Sequence, residues 1–400
     1  AALAAAVAVF LVATRVFPYR SLNHDEAVYL QQAALLLDGQ LSLFPPVDDA
    51  FRPWFFVPDG GRLYPKYAPV TAAIFAVGKL LGSYHVALVG VAAALVALTY
   101  ATTAEAFDRQ TGALAALLMA ATPQFLVEAS VFLSYAPTGA LNLAFAWAYL
   151  RADRTGDPRL AAGAGAATGL AFFARPFTAV TFAAPFLAHA GWRLLSATRH
   201  DWRSGTPPLT GRLRDRVALL APTAALGLVG VGTSLAYNAA VTGDPLLFPY
   251  EAFAPLDGLG FGHRELLGYS REFTPALGVR ATAHALVALF GAWVVAGPLG
   301  SALAALGAAS ALPDADARVA AFGGVVPAVV LGNTYFWGTL NALGALDTRG
   351  DGLADFLGPF YHFDALAPVA AFAAVGLLAL AARVRARWPA GRRARLVATA

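Results

Sequence analysis

The sequence predicts an all-α polytopic membrane protein, with about ten transmembrane helices and large outer loops carrying membrane-surface helices. Three observations predict it. First, 58% of the 400 residues are hydrophobic and 13% are charged, against roughly 25% charged in an ordinary globular domain. One core of this size cannot remove that much apolar surface from water, so lipid must be the solvent for much of the chain. Second, stretches almost free of Asp, Glu, Lys and Arg recur at lengths near the roughly 20 residues that a bilayer crossing needs. Third, the basic residues, 28 with only Lys66 and Lys79 as lysines, bunch into a few short loops. This composition excludes a disordered tail and a soluble nucleic-acid binder. With no cysteine, a disulfide scaffold, a thiolate metal site and a thiol nucleophile are also excluded.

The expected spans lie near 1–17, 84–104, 111–128, 132–150, 159–174, 177–194, 217–238, 281–305, 319–338 and 362–382. The first is not read as a signal peptide, since no small-residue cleavage site follows it convincingly. Orientation follows the arginine bias of the loops. With the start of the chain at the cytoplasm, the inner loops are those near 105–110, 151–158, 195–216 and 306–318, plus the tail after 382. One cluster holds Arg193, Arg199, Arg203, Arg212, Arg214 and Arg216; the tail holds Arg383, Arg385, Arg387, Arg392, Arg393 and Arg395. Both fall on one side only if an even number of spans separates them, and it does. The outer segments are then about 18–83, 239–280 and 339–361. They hold most of the acidic residues, among them Asp48, Asp49, Asp59, Asp244, Glu251, Glu265, Glu272 and Asp351. Small basic inner loops and large acidic outer ones predict work on the outer face. The whole of 1–400 reads as one transmembrane domain. Because it starts at Ala1 and stops soon after an arginine cluster, we expect a piece of a longer protein, truncated at its C-terminus.

Asn23-His24-Asp25-Glu26-Ala27-Val28-Tyr29 follows the first span and opens a helix to about Asp38 that should lie along the membrane surface. Asn23 and Glu26 fit a capping box, and both acids favour the positive end of a helix. Equally, a carboxylate at the water–lipid boundary can act as a general base on a hydroxyl. Asp59-Gly60-Gly61-Arg62 reads as a turn. Beyond it, Lys66 sits in Tyr64-Pro65-Lys66-Tyr67-Ala68-Pro69, where it can hold a phosphate as a point charge between stiffening prolines. The plainer reading is a snorkelling lysine in an aromatic belt. Glu128, near the outer end of the third span, is costly so close to hydrocarbon, and either belongs to a site or turns to the interface. Trp54 and Tyr250 are candidates for sugar stacking, with the aromatic belt as the alternative. His263, Arg264, Glu265, Arg271 and Glu272 read as solvated charges. No metal is required; a divalent ion has only the weak candidates His24 and Asp25, with Glu26 beside them and His362 approaching from the last span.

Several of these segments, taken in order, resemble the membrane-embedded glycosyltransferases of the GT-C fold, in particular the protein O-mannosyltransferase and aminoarabinose-transferase relatives. They are Asp25-Glu26 after the first span, Tyr64 to Pro69, Arg175-Pro176 after the fifth, and Tyr237-Asn238 with Thr242-Gly243-Asp244-Pro245 and Phe248-Pro249-Tyr250. Gly358-Pro359-Phe360-Tyr361 enters the last span. The resemblance implies an integral protein of the cell membrane that takes a sugar from a polyprenyl-phosphate lipid on the extracytoplasmic face. The acceptor is a hydroxyl on a protein, a lipid or a polysaccharide, and direct displacement would invert the anomeric carbon. It implies Asp25 as base, with Glu26, and Lys66 and Arg175 on the departing phosphate. Tyr64, Tyr67, Tyr250, Tyr361 and Glu128 join the substrate site. Two departures stand out. Phe360 occupies a place where relatives carry arginine. The Ser130 to Tyr135 loop lacks an aspartate found in some relatives, for which Glu128 is the candidate substitute. The rival readings are a transporter or lipid flippase, disfavoured because no inverted repeat is visible, and a non-catalytic partner in envelope polysaccharide assembly.

Overall fold

The computed structural model describes residues 1–20, 23–45, 52–207, 210–343 and 356–387; Asp48, Asp49, Asp351, Arg392, Arg393 and Arg395 lie outside them. Helix α1 (Ala2–Arg15) leads to α2 (Asp25–Leu37), a hairpin of β1 (Phe56–Asp59) and β2 (Arg62–Pro65), then α3 (Val70–Leu80). The bundle continues through α4 (Tyr84–Ala106), α5 (Arg109–Ala120), α6 (Pro123–Glu128), α7 (Tyr135–Thr155), α8 (Pro158–Ala174), α9 (Pro176–Arg203) and α10 (Arg212–Thr242). After it come α11 (Pro249–Phe253), a second hairpin of β3 (Gly262–Leu266) and β4 (Tyr269–Phe273), and α12 (Pro275–Ala288), α13 (Pro298–Ala311), α14 (Ala317–Gly323), α15 (Val325–Tyr335) and α16 (Gly338–Leu343). A 3₁₀ turn at Phe360–Ala365 runs into α17 (Leu366–Arg387).

Among the described residues, five helical stretches are long and apolar enough to cross a membrane: Tyr84–Ala106, Arg212–Thr242, Pro275–Trp293, Ala317–Tyr335 and Phe360–Arg387. Three shorter apolar helices, α1, α3 and α13, accompany them. The chain is an integral membrane protein of the all-α class; the expected count of about ten spans goes beyond these five. Three of the expected spans are interrupted, each for a local reason. The expected span 111–128 is two helices, because α5 stops at Ala120 and Pro123 starts α6 at a position where its missing N–H costs nothing. The expected 281–305 breaks after Trp293, where Ala296 and Gly297 take positive φ (55° and 50°) ahead of Pro298. Within 319–338, Gly324 parts α14 from α15. Three acids of the expected inner loops serve as N-caps: Asp108, Asp157 and Asp316 accept from the first backbone amides of α5, α8 and α14.

The first half of α17 is buried all round, from Leu366 to Ala374, as befits a helix apolar on every side. Its neighbours reach it through small residues. A Cβ at Gly307 of α13 would sit 1.8 Å from the Phe372 carbonyl oxygen, and one at Gly376 2.0 Å from that of Leu303. Helices α8 and α10 meet the same way at Gly169 and Gly230. Such backbone-to-backbone approach is how helices associate where lipid offers no hydrophobic drive.

Candidate active site

The site is assembled around the start of α2. The Asn23 side-chain oxygen accepts from the Asp25 amide at 2.9 Å, fixing the turn that opens the helix. Helical geometry then sends the consecutive carboxylates in different directions. Asp25 keeps 24% of its side chain exposed. Glu26 is buried, and its Oε2 accepts from the backbone amide of Phe132 at 2.8 Å. Glu26 thus ties α2 to the turn between α6 and α7.

The first hairpin delivers the cation. Gly60 and Gly61 at φ 56° and 82° make the primed two-residue turn expected of Asp59-Gly60-Gly61-Arg62. Asp59 and Arg62 close it with a salt bridge at 2.7 Å. Just past β2, the Lys66 amide donates to the Phe55 carbonyl at 3.0 Å. Its ammonium lies 3.6 Å from Asp25 Oδ1 and is 4% exposed. Four rings surround it, with centroids at 3.7 Å (Phe55), 4.8 Å (Tyr67), 5.1 Å (Phe253) and 5.5 Å (Tyr250). Phe55 holds a left-handed φ of 58°, a cost borne where its ring meets the lysine. Cation–π attraction in so dry a setting is worth about 2 kcal/mol.

Tyrosines form the wall. Tyr67 stacks on Tyr29 at 4.6 Å and on Tyr250 at 6.4 Å, and its hydroxyl hydrogen-bonds the Asp25 carboxylate. Burial, with Asp25 beside it, pushes that hydroxyl well above the ordinary tyrosine range, so it keeps its proton at neutral pH. The Tyr67 carbonyl accepts from Gln32 Nε2 at 2.8 Å, and Tyr237 completes this latch to α10. Gly243 ends α10 in a left-handed cap (φ 82°), and Asn238 Nδ2 donates to the Pro245 carbonyl, aiming Tyr250 at the site.

Sequence reasoning missed Asp257. It is buried and accepts from the Tyr250 hydroxyl and, at 2.6 Å, from Trp337 Nε1. Burial raises its carboxyl above the usual range, against the pull of these donors and of Lys66. Asp257 carries no motif, and its partners lie 7 and 80 residues away, so only the fold reveals it. Asp257→Asn presents an amide to two donors; we expect a loss of about 1–3 kcal/mol of stability, read as a lower unfolding midpoint in a thermal scan.

Arg175 stands across the tyrosine wall at the break between α8 and α9. Its Nη1 donates to Ser134 Oγ at 2.7 Å and its Nε to Thr178 Oγ1 at 3.2 Å, while the guanidinium lies 4.2 Å over the Tyr135 ring. The Arg175 and Asp25 charges both act on Tyr29, Tyr135 and Tyr361, so the two lie within electrostatic reach of the same three rings. Glu128 is fully buried at the end of α6, its oxygens without a hydrogen-bond partner among the described residues, and the charges acting on it are Arg175 and Glu26. Phe360 packs on Tyr135 at 4.9 Å and on Tyr361 at 4.6 Å, so the ring fills this wall as apolar bulk.

Asp25, Lys66, Tyr67, Tyr250, Tyr361, Arg175 and Glu128 thus come together. Tyr64 does not join them: it packs with Val57, Phe173, Tyr237 and Val241 on the other side of the hairpin. His24 is exposed and stacks on Trp54 at 5.2 Å, while His362 is buried in the 3₁₀ turn. Among the described residues no three His, Asp or Glu side chains gather as a metal would need. The arrangement offers one accessible carboxylate paired with Lys66, with Arg175 across a wall of hydroxyl-bearing rings that can pack on a sugar.

The likeness to solved structures shows that the described helices have the GT-C fold. The likeness is to ArnT from Cupriavidus metallidurans. In its apo state that protein matches with a TM-score of 0.58 and 14% identity, over 94% of this chain and 58% of that one. Bound to undecaprenyl phosphate, it matches with a TM-score of 0.57 and 13% identity, over 94% and 59%. AglB from Archaeoglobus fulgidus, in complex with an inhibitory peptide and a dolichol-phosphate, follows at 0.49 and 14%, over 97% and 52%. The chain therefore spans under two thirds of the length of these proteins. No family model matches the sequence, and no curated protein does.

Proposed function

We propose that this protein is a glycosyltransferase that moves a sugar from a polyprenyl-phosphate lipid to an acceptor hydroxyl on the extracytoplasmic face. The observation that carries it is the convergence of Asp25, Lys66 and Arg175 from separate parts of the chain. The fold likeness to ArnT, which binds undecaprenyl phosphate, supports the donor class. In this reading Asp25 accepts the acceptor's hydroxyl proton as the oxygen attacks the anomeric carbon. The bond from that carbon to the phosphate oxygen breaks, and the polyprenyl phosphate leaves with the electron pair. Arg175 and Lys66 stabilise the charge that builds on the phosphate. Glu26 positions α2, and Tyr67, held protonated, orients the Asp25 carboxylate. Attack opposite the leaving group inverts the anomeric centre.

The outer-face assignment rests on Arg199, Arg203, Arg212 and Arg216 lying toward the ends of α9 and α10 far from this site. The test uses the full chain in proteoliposomes with labelled polyprenyl-phosphate sugars and a panel of hydroxyl acceptors. Transfer with an inverted linkage, assigned by NMR, is the expected result. No release of sugar from any donor by the wild-type chain counts against the transferase and favours the non-catalytic partner. Transfer with retention removes only the direct displacement.

A further inference from the structure

A second site lies at the opposite end of the bundle. Helices α7, α9 and α10 each have one end at the tyrosine wall, at Tyr135, Arg175 and Tyr237. Toward their other ends, Asp153, Arg193 and Arg216 border a cavity of about 750 Å³, with α9 continuing past it to Arg203. At 1.5 Å per residue the two sites are separated by about 27–32 Å along these helices. That is close to the roughly 30 Å hydrocarbon core of a bilayer, so the cavity sits at the boundary of the other leaflet.

Arg154, Arg193, Arg212 and Arg216 face this space with Asp153 and Asp215, leaving an excess of positive charge. Asp153 Oδ1 accepts from Arg216 Nη1 at 2.8 Å and from Arg193 Nε at 3.2 Å, which orders both guanidinium groups in advance. Each guanidinium has five donors, so one bond to Asp153 leaves others for a ligand. Trp192, 56% exposed, stands on the rim, as interfacial aromatics do. Solvated arginines obeying the positive-inside rule need no shared carboxylate that fixes their geometry.

We infer that this cavity binds the phosphate-bearing headgroup of an anionic lipid from the leaflet opposite the Asp25 site. Lipid is favoured over a soluble phosphate because the cavity lies about one hydrocarbon thickness from the Asp25 site, the level at which headgroups of the other leaflet would stand. The test is native mass spectrometry of the full chain released from micelles containing phosphatidylglycerol or phosphatidylcholine. The wild-type protein should retain phosphatidylglycerol preferentially. Retention should fall about five-fold for each arginine removed, in Arg212→Gln and in Arg216→Gln. Arg212 is exposed, so its variant keeps the test usable if Arg216→Gln disturbs the Asp153 pairing. Arg318→Gln, paired with Asp316 outside the cavity, should change nothing. Equal retention of both lipids, or an equal loss in Arg318→Gln, overturns the proposal. So does displacement of phosphatidylglycerol by millimolar inorganic phosphate, which assigns the cavity to a soluble anion.

Discussion

Asp25→Asn is expected to lose sugar transfer by about 10²–10⁴-fold, the range for removal of a general base, while donor binding persists. Asparagine keeps the shape of the side chain, and its carbonyl can still accept from the Tyr67 hydroxyl. It cannot take the acceptor's proton. Lys66, 3.6 Å away, loses its counter-charge but keeps its four rings, so the cage should stand. A thermal scan on the same sample separates chemistry from folding. Turnover is followed with labelled donor at saturating acceptor, and donor retention is measured in parallel. Wild-type turnover in this variant removes Asp25 from the chemistry while leaving the reaction class open. Glu26→Gln should behave differently. The Gln oxygen still accepts from the Phe132 amide, so a smaller effect is expected at that position.

Arg175→Ala is the second large effect, a fall in transfer of about 10²–10³-fold, as when one preorganised donor to a developing oxyanion is removed. The guanidinium lies 4.2 Å over the Tyr135 ring while bonding Ser134 and Thr178, and two of its five donors go to these hydroxyls. Donor affinity should fall along with turnover, because the phosphate is charged before and after displacement. Arg175→Lys should recover little, since an ammonium cannot stack on the ring and bridge two hydroxyls at once. The measurement is KM for the donor against kcat across the three proteins. An Arg175→Ala variant with unchanged donor KM and kcat takes the phosphate away from this side chain.

What the sequence makes legible follows from the range over which each feature is encoded. The Asp59 to Arg62 turn and α2 are short-range and stand at the expected places, although the helix has His24, not Asn23, at its N-cap position, and Glu26 bonds the Phe132 amide. The overall class follows from composition. The break after Trp293 was readable in Gly297-Pro298, but an apolar run on both sides hid it. Helix α3, only 11 residues long, fell inside a segment assigned to a loop. Tyr64 and Tyr67 read alike in sequence. The ladder ends at Pro65, however, so the first points into an apolar cluster and the second into the site. Lys66 and Arg175 stand out in the sequence because charge is rare in this chain and theirs sits beside an apolar stretch. Asp257 and the Ser134 hydroxyl needed tertiary contacts that no spacing announces.

The central claim is that one outward-facing site grips a lipid phosphate with Arg175 and Lys66 while Asp25 faces the sugar. A cryo-EM structure of the full chain with a non-transferable polyprenyl-phosphate sugar analogue tests it most directly. We predict the phosphate within hydrogen-bond reach of the two cations and the anomeric carbon beside the Asp25 carboxylate. A phosphate seated elsewhere, with Asp25 away from the sugar, would contradict it.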